Sequence, residues 1–157
     1  MSEIAAGKSV PAFSLDATGE QKITLSDFKN KNNVILYFYP RDSTPGCTTE
    51  GQDFRDHYAA FKKADTVILG VSRDSLKSHE NFRAKQNFPF ELLSDPDEKL
   101  CRIFDVIKEK NMYGKKYMGI ERSSFLIDKK GKLSQEWRKV RVKGHVEEVL
   151  AAAQALK

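Results

Sequence analysis

Residues 34–47 read Val34-Ile35-Leu36-Tyr37-Phe38-Tyr39-Pro40-Arg41-Asp42-Ser43-Thr44-Pro45-Gly46-Cys47. The first six are an unbroken run of apolar, β-branched and aromatic residues, the pattern of a central strand covered on both faces. Pro40 stops it, because proline has no N–H to give a sheet ladder. A helix is predicted next, with Thr44 at its N-cap and Pro45 in its first turn. Gly51, Phe54, Tyr58 and Phe61 follow at spacings of three and four, which places them on one helical face.

Outward from this unit, Thr66–Val71 reads as a second apolar strand and Ser75–Gln86 as a helix capped by Ser75. A short strand near Phe90–Leu93 precedes a helix over Pro96–Phe104. Ser123–Asp128 and Lys132–Trp137 flank Lys129-Lys130-Gly131, a hairpin signal. A closing helix runs from His145 to Leu156, with Val146, Val149, Leu150 and Ala153 as its apolar stripe. Strands alternating with helices, then a hairpin and a last helix, indicate an α/β layered fold. The order β-α-β-α followed by β-β-α is similar to the thioredoxin-like plan, a central mixed sheet flanked by helices.

The chain has 157 residues, which fits one domain over 1–157. Apolar residues make up 39% and charged residues 31%, the balance of a soluble globular protein. No stretch approaches the roughly 20 apolar residues of a membrane span. The N-terminal residues show no basic segment followed by an apolar run, so the expected compartment is the reducing cytoplasm. Cys47 and Cys101 are too few for a disulfide framework and too far apart for a CxxC pair. The net charge of +5 is mild, and the basic clusters at Lys108–Lys116 and Arg138–Lys143 read as solvated surface rather than a nucleic-acid footprint. His57, His79 and His145 share no metal-ligand spacing, and no Gly-rich phosphate loop follows the first strands, so no metal or nucleotide cofactor is expected.

Cys47 falls in the first turn of its helix, where backbone N–H groups lack partners and the helix dipole is positive. Such a site favours thiolate over thiol, and thiolate is the nucleophile. The competing reading, a small buried hydrophobe, is the commoner fate of a lone cysteine, but the helix-start context favours function. Gly46 removes bulk beside the sulfur, Pro40 offers an apolar shield, and the Thr44 hydroxyl can hydrogen-bond a bound oxygen.

Pro40-x-x-x-Thr44-x-x-Cys47 matches the PxxxTxxC signature of peroxiredoxins. Phe38-Tyr39-Pro40, Asp42-Ser43-Thr44-Pro45-Gly46-Cys47-Thr48 and Glu50 resemble the PrxQ branch, also called bacterioferritin comigratory protein. The resemblance continues through Gly70-Val71-Ser72-Arg73-Asp74, Ser94-Asp95, Gly119-Ile120-Glu121-Arg122-Ser123, Trp137-Arg138-Lys139-Val140 and Gly144-His145. It implies a thiol peroxidase that reduces hydrogen peroxide or alkyl hydroperoxides through a Cys47 sulfenic acid. Thr44 would orient the peroxide, Pro40 would shield the site, Arg122 would stabilise thiolate and developing charge, and Glu50 would hold Arg122. A monomer is the expected assembly.

The chain departs from that branch where a resolving cysteine would stand: those two positions are Gln52 and Arg83. Cys101 is the other thiol, read as a packed core residue, with resolution after local unfolding as the alternative. The economical cycle uses one cysteine and an external thiol from thioredoxin, glutaredoxin or a small molecule. A thiol–disulfide oxidoreductase is disfavoured, because Glu50 and not a second cysteine stands three residues after Cys47. A non-enzymatic binding module, such as a nucleic-acid binder, and a chaperone or scaffold role alongside peroxidase chemistry are the remaining alternatives.

Overall fold

The computed structural model describes residues 4–156. In chain order its elements are β1 (Ser14–Ala17), β2 (Gln21–Thr24), β3 (Asn33–Phe38), α1 (Pro45–Asp56), α2 (Tyr58–Lys63), β4 (Thr66–Ser72), α3 (Leu76–Gln86), β5 (Glu91–Ser94), α4 (Lys99–Ile103), β6 (Ile107–Met112), β7 (Lys115–Ile120), β8 (Ser123–Ile127), β9 (Leu133–Trp137) and α5 (His145–Ala155). Seven strands form one mixed sheet in the order β2-β1-β5-β4-β3-β8-β9, and β6 and β7 pair separately as an antiparallel arm. β3 runs parallel to β4 and antiparallel to β8, with Phe38 opposite Val71 on one side and Ser123 on the other. This is a thioredoxin-like sheet with the β1–β2 hairpin added at one edge.

Every residue of β3 is buried, as its unbroken apolar run predicts. Successive side chains on a strand point to opposite faces, so β3 feeds two cores. Ile35, Tyr37 and Tyr39 pack with Cys47, Phe54, Phe61, Phe82, Val146 and Val149 from α1, α2, α3 and α5. Val34, Leu36 and Phe38 pack on the other face with Leu100, Cys101 and Phe104 from α4 and its C-cap, and with Phe125 of β8. The sheet therefore separates the two cysteines.

The expected single helix through Phe61 is instead two. His57 leaves helical geometry (φ −102°, ψ 7°), and its ring Nδ1–H donates to the Asp53 carbonyl at 2.8 Å, so the chain turns there and α2 starts afresh. Phe54 and Phe61 still reach the same core. The expected helix over Pro96–Phe104 shortens to α4, because Glu98 adopts a left-handed φ of 61° that a helix cannot continue through. Ser75 does cap α3, accepting from the Ser78 N–H at 3.2 Å. Leu150 is half-buried, whereas Val146, Val149 and Ala153 are fully covered. The sequence reading did not anticipate β1, β2, β6 or β7. The last two consist largely of Lys, Glu, Asn and Met, residues with little strand preference, and they turn through Tyr113 (φ 53°) and Gly114 (φ 80°).

Gly51 faces the buried Phe88 ring, and a Cβ there would lie 2.3 Å from Phe88 Cζ. Gly51→Ala should thus destabilise the fold by about 1–3 kcal/mol despite alanine's better helix propensity, read as a lower urea midpoint with an unchanged m-value.

Candidate active site

α1 begins beside the carboxyl end of β3, and Thr44 precedes it with extended backbone (φ −82°, ψ 155°). Thr44 is thus the N-cap in conformation, but its side chain does not cap the helix. The hydroxyl donates to the Arg41 carbonyl at 2.9 Å, across the left-handed turn at Ser43 (φ 64°). A hydroxyl with its hydrogen so engaged still has lone pairs to accept with. Pro40 lies half-buried at the start of the same loop.

Cys47 is 2% exposed. Arg122, between β7 and β8, reaches it: Nη2 donates to Sγ at 3.4 Å while Nη1 donates to Glu50 Oε1 at 2.6 Å. One planar fork thereby binds a sulfur and a carboxylate that are one helical turn apart on α1. Gly46 leaves this approach uncrowded, since a Cβ there would sit 3.1 Å from Arg122 Nη2. Burial opposes the charge on Arg122, but Glu50 and then Cys47 outweigh it and hold the guanidinium above its ordinary value. Glu50 is fully buried, and burial pushes its carboxyl up to about 7 against the pull of Arg122. Its second oxygen, Oε2, and the Tyr37 hydroxyl are both buried without a hydrogen-bond partner. The Tyr37 hydroxyl is raised well above its ordinary value by burial and next by Glu50 and Cys47, which puts it in the same electrostatic neighbourhood.

The loop between β3 and α1 is pinned from below. Asp42 N–H donates to Asp74 Oδ2 at 2.9 Å. Its carboxylate accepts from Tyr39 Oη (2.6 Å) and Ser78 Oγ (2.8 Å) and faces His79 Nδ1 at 2.7 Å. His79 Nε2 meets the Leu93 carbonyl at 2.9 Å, so that nitrogen carries a hydrogen. A proton is therefore shared between Nδ1 and the carboxylate, because neither contact works between two bare acceptors. Ligand atoms of Asp42, Asp74 and His79 lie within 4.8 Å of one another, but protein donors already fill them. Sequence reasoning gave neither Asp42 nor His79 a role. Asp42 stood inside the quoted motif, whereas nothing in the spacing linked it to a histidine 37 residues on.

Gln52 and Arg83 are engaged elsewhere. Gln52 donates to Gln86 Oε1 at 2.9 Å, and Arg83 donates to the Phe90 carbonyl at 2.9 Å and pairs with Glu91. Cys101 is fully buried beyond the sheet, and burial followed by Asp95 pushes its thiol far above the usual value. Cys47, Glu50, Gly46 and Arg122 are thus brought together, with Thr44 and Pro40 on the adjoining loop, and Cys101 is kept apart.

The AhpC/TSA family matches residues 6–136. The chain belongs to that family. A peroxiredoxin Bcp of Xanthomonas campestris is 64% identical over 122 residues, covering 78% of this chain and 76% of its own. The Bacillus subtilis peroxiredoxin Bcp is 54% identical over 144 residues, covering 92% and 91%. The structure of Xanthomonas campestris peroxiredoxin Q superposes with a TM-score of 0.87 at 57% identity, covering 92% of this chain and 90% of that one. A structure of the bacterioferritin comigratory protein of the same organism, from work on its alkyl peroxide reduction activity, gives a TM-score of 0.86 at 57% identity, covering 91% and 90%. This chain is a peroxiredoxin enzyme with PrxQ/Bcp relatives.

Two buried groups of the peroxiredoxin contribute to the pH dependence of its stability with opposite signs. His145 accepts from or donates to Ser124 Oγ at 2.8 Å, and burial, with Arg122's charge second, pushes it down to about 4. The unfolded chain protonates it near 6.5. Between those values the unfolded state binds more protons, so this residue's part of the stability is lost as pH falls from about 6.5 to about 4. Glu50 has the opposite sign: its folded value lies above its unfolded one, so its part is lost as pH rises from about 4.5 to about 7. Urea unfolding of the wild type and His145→Gln at pH 6.5 and 4.5 should show the wild type losing about 1–2 kcal/mol more on acidification.

Proposed function

We propose that Cys47 is the peroxidatic thiolate of a one-cysteine cycle. The observation carrying this reading is the Arg122 fork, with Nη2 on Cys47 Sγ at 3.4 Å and Nη1 on buried Glu50 at 2.6 Å. The thiolate attacks the terminal oxygen of a hydroperoxide. An S–O bond forms, the O–O bond breaks, and the departing oxide takes up a proton to leave as water or an alcohol. Arg122 Nη2, already beside the sulfur, donates to the negative charge that builds on the oxygens. The Thr44 hydroxyl, whose hydrogen is held by Arg41, accepts the peroxide's O–H and so orients the incoming molecule. Pro40 shields the approach, Gly46 leaves room for the guanidinium, and Glu50 fixes its direction. Hydrogen peroxide and alkyl hydroperoxides are the substrates, the latter supported by the alkyl peroxide reduction activity of the Xanthomonas relative.

The second half of the cycle needs a thiol from outside. Gln52 and Arg83 carry no sulfur, and Cys101 lies on the far face of the sheet from Cys47. Thioredoxin, glutaredoxin or a small thiol attacks the sulfenate, and the mixed disulfide is then reduced. A reducing cytoplasm suits a chain with both cysteines free. A monomer is the working assembly, and the fold serves as one domain.

Intact-mass and peptide mapping after one equivalent of hydrogen peroxide, with a sulfenic-acid trap present, should place the adduct on Cys47. An unmodified Cys47 overturns the reading, and a Cys47–Cys101 disulfide overturns the one-cysteine cycle alone. Arg122→Gln should slow Cys47 oxidation by about 10²–10³-fold, the usual loss when one preorganised donor to developing negative charge is removed. Excess peroxide should carry Cys47 on to sulfinic acid, since no thiol stands nearby to trap the sulfenate.

A further inference from the structure

Among the described residues, the exposed large apolar side chains are Met112, Tyr113, Tyr117 and Met118, and all four belong to the β6–β7 arm. Tyr113 stands at the tip, 98% exposed. A cluster of this kind on a surface otherwise rich in charge marks a contact site. Lysines surround it: Lys108 and Lys110 on β6, Lys115 and Lys116 on β7, against the single acid Glu109. Lys116 pairs with Glu109 and Lys108 with Asp105, which leaves Lys110 and Lys115 without an ion-pair partner among the described residues.

The arm borders the thiol. Its second strand ends two residues before Arg122. Its Met118 carbonyl accepts from Arg73, which directly follows the carboxyl end of β4. In the antiparallel register Lys110 stands opposite Tyr117 and Lys108 opposite Gly119, so these share one face. Lys110 on that face lies within electrostatic reach of both Arg122 and Cys47. Cys47 itself is 2% exposed, and no second thiol of the chain shares its side of the sheet.

We propose that the β6–β7 arm is the docking element for the reductant, and that this reductant is a protein dithiol whose rim is apolar and acidic. The proposal rests on Cys47 being oxidised to a sulfenic acid. The partner's first thiol attacks the Cys47 sulfur, forming an S–S bond and breaking the S–O bond. The hydroxyl leaves as water with the proton of the incoming thiol. The partner's second thiol then attacks its own linked sulfur, so the partner leaves as an intramolecular disulfide and Cys47 regains its thiol. The dithiol supplies both electrons. Charge selects the partner: a second copy of a chain carrying +5 would bring a like-charged arm against this one. Tyr113, Tyr117, Met112 and Met118 supply the apolar centre that such interfaces concentrate their energy in.

The test compares wild type with Tyr113→Ser/Met118→Ser and with Lys115→Glu, whose side chains lie outside the Cys47, Glu50 and Arg122 cluster. Three rates are measured: Cys47 oxidation by hydrogen peroxide, turnover with dithiothreitol, and turnover across a range of thioredoxin concentrations. The expected result is an apparent KM for thioredoxin raised about tenfold in the double variant and about threefold in Lys115→Glu, with the first two rates within twofold of wild type. For the wild type, added salt should raise that KM as well. An unchanged KM in both variants overturns the proposal, as does a parallel loss with dithiothreitol, which would make the arm structural. Self-association of the wild type that the double variant abolishes, with KM unchanged, assigns the arm to a second copy and overturns it too. Failure of hydrogen peroxide to oxidise wild-type Cys47 would instead remove the sulfenic acid on which the proposal rests.

Discussion

Arg122 is one guanidinium shared by a carboxyl and a sulfur, and the geometry around Cys47 depends on that sharing. A cation only 16% exposed must be compensated or it will not stay buried. Here Glu50 at 2.6 Å supplies most of the compensation, and the sulfur takes the remaining edge of the fork at 3.4 Å. Cys47 and Glu50 come from one turn of α1, but Arg122 arrives from 75 residues away. It arrives correctly because β8 runs antiparallel to β3, with Ser123 opposite Phe38. That register sets Arg122 at the end of the strand from which the loop to α1 departs. A slip of one residue would turn the following side chains to the other face of the sheet.

The loop itself is held by a second buried device of different chemistry. Asp42 receives donors from Tyr39, Ser78 and His79, and its own N–H is held by Asp74. This ties the segment carrying Pro40 and Thr44 to the end of β4 and to α3 at once. A loop fixed by several charge-assisted bonds can hold a left-handed residue such as Ser43 in place. Thr44 then donates its hydroxyl hydrogen to the Arg41 carbonyl instead of capping α1, and keeps lone pairs to accept with. The unusual conformation and the orientation of the hydroxyl are thus consequences of one anchored carboxylate.

Much of this was legible in the chain. β3, α1, β4, α3 and α5 were all visible, because long apolar runs and a clear cap decide an element locally. The position of Cys47 in the first turn followed from Thr44 and Pro45 alone. Arg122 did not: only its resemblance to a family motif pointed to it, since no spacing reveals that a residue 72 positions after Glu50 will share a fork between that carboxyl and Cys47. The Asp42–His79 contact was hidden for the same reason. The break at His57 escaped notice because the apolar spacing from Phe54 to Phe61 holds whether or not the axis bends. The β6–β7 arm was read as a basic surface stretch. Its strands are held by their own ladder and by Tyr113-Gly114 at the turn, not by alternation of apolar residues against a core.

The arrangement divides labour between the two faces of the sheet. One face carries Cys47, with a raised carboxyl and two buried oxygens, Glu50 Oε2 and Tyr37 Oη, that have no hydrogen-bond partner among the described residues. Such groups cost stability, since each gives up hydration without a replacement bond. The other face carries Cys101 among Phe38, Leu100, Phe104 and Phe125, an ordinary core in which a thiol is inert. α3 is tied down on several sides: Glu80 accepts from Gly19, Arg83 binds the Phe90 carbonyl, and Gln86 binds Gln52 and Arg55. Cys101 lies across the sheet from Cys47, so on the one-cysteine reading proposed above both electrons come from another molecule, and the β6–β7 arm is the surface proposed to receive it.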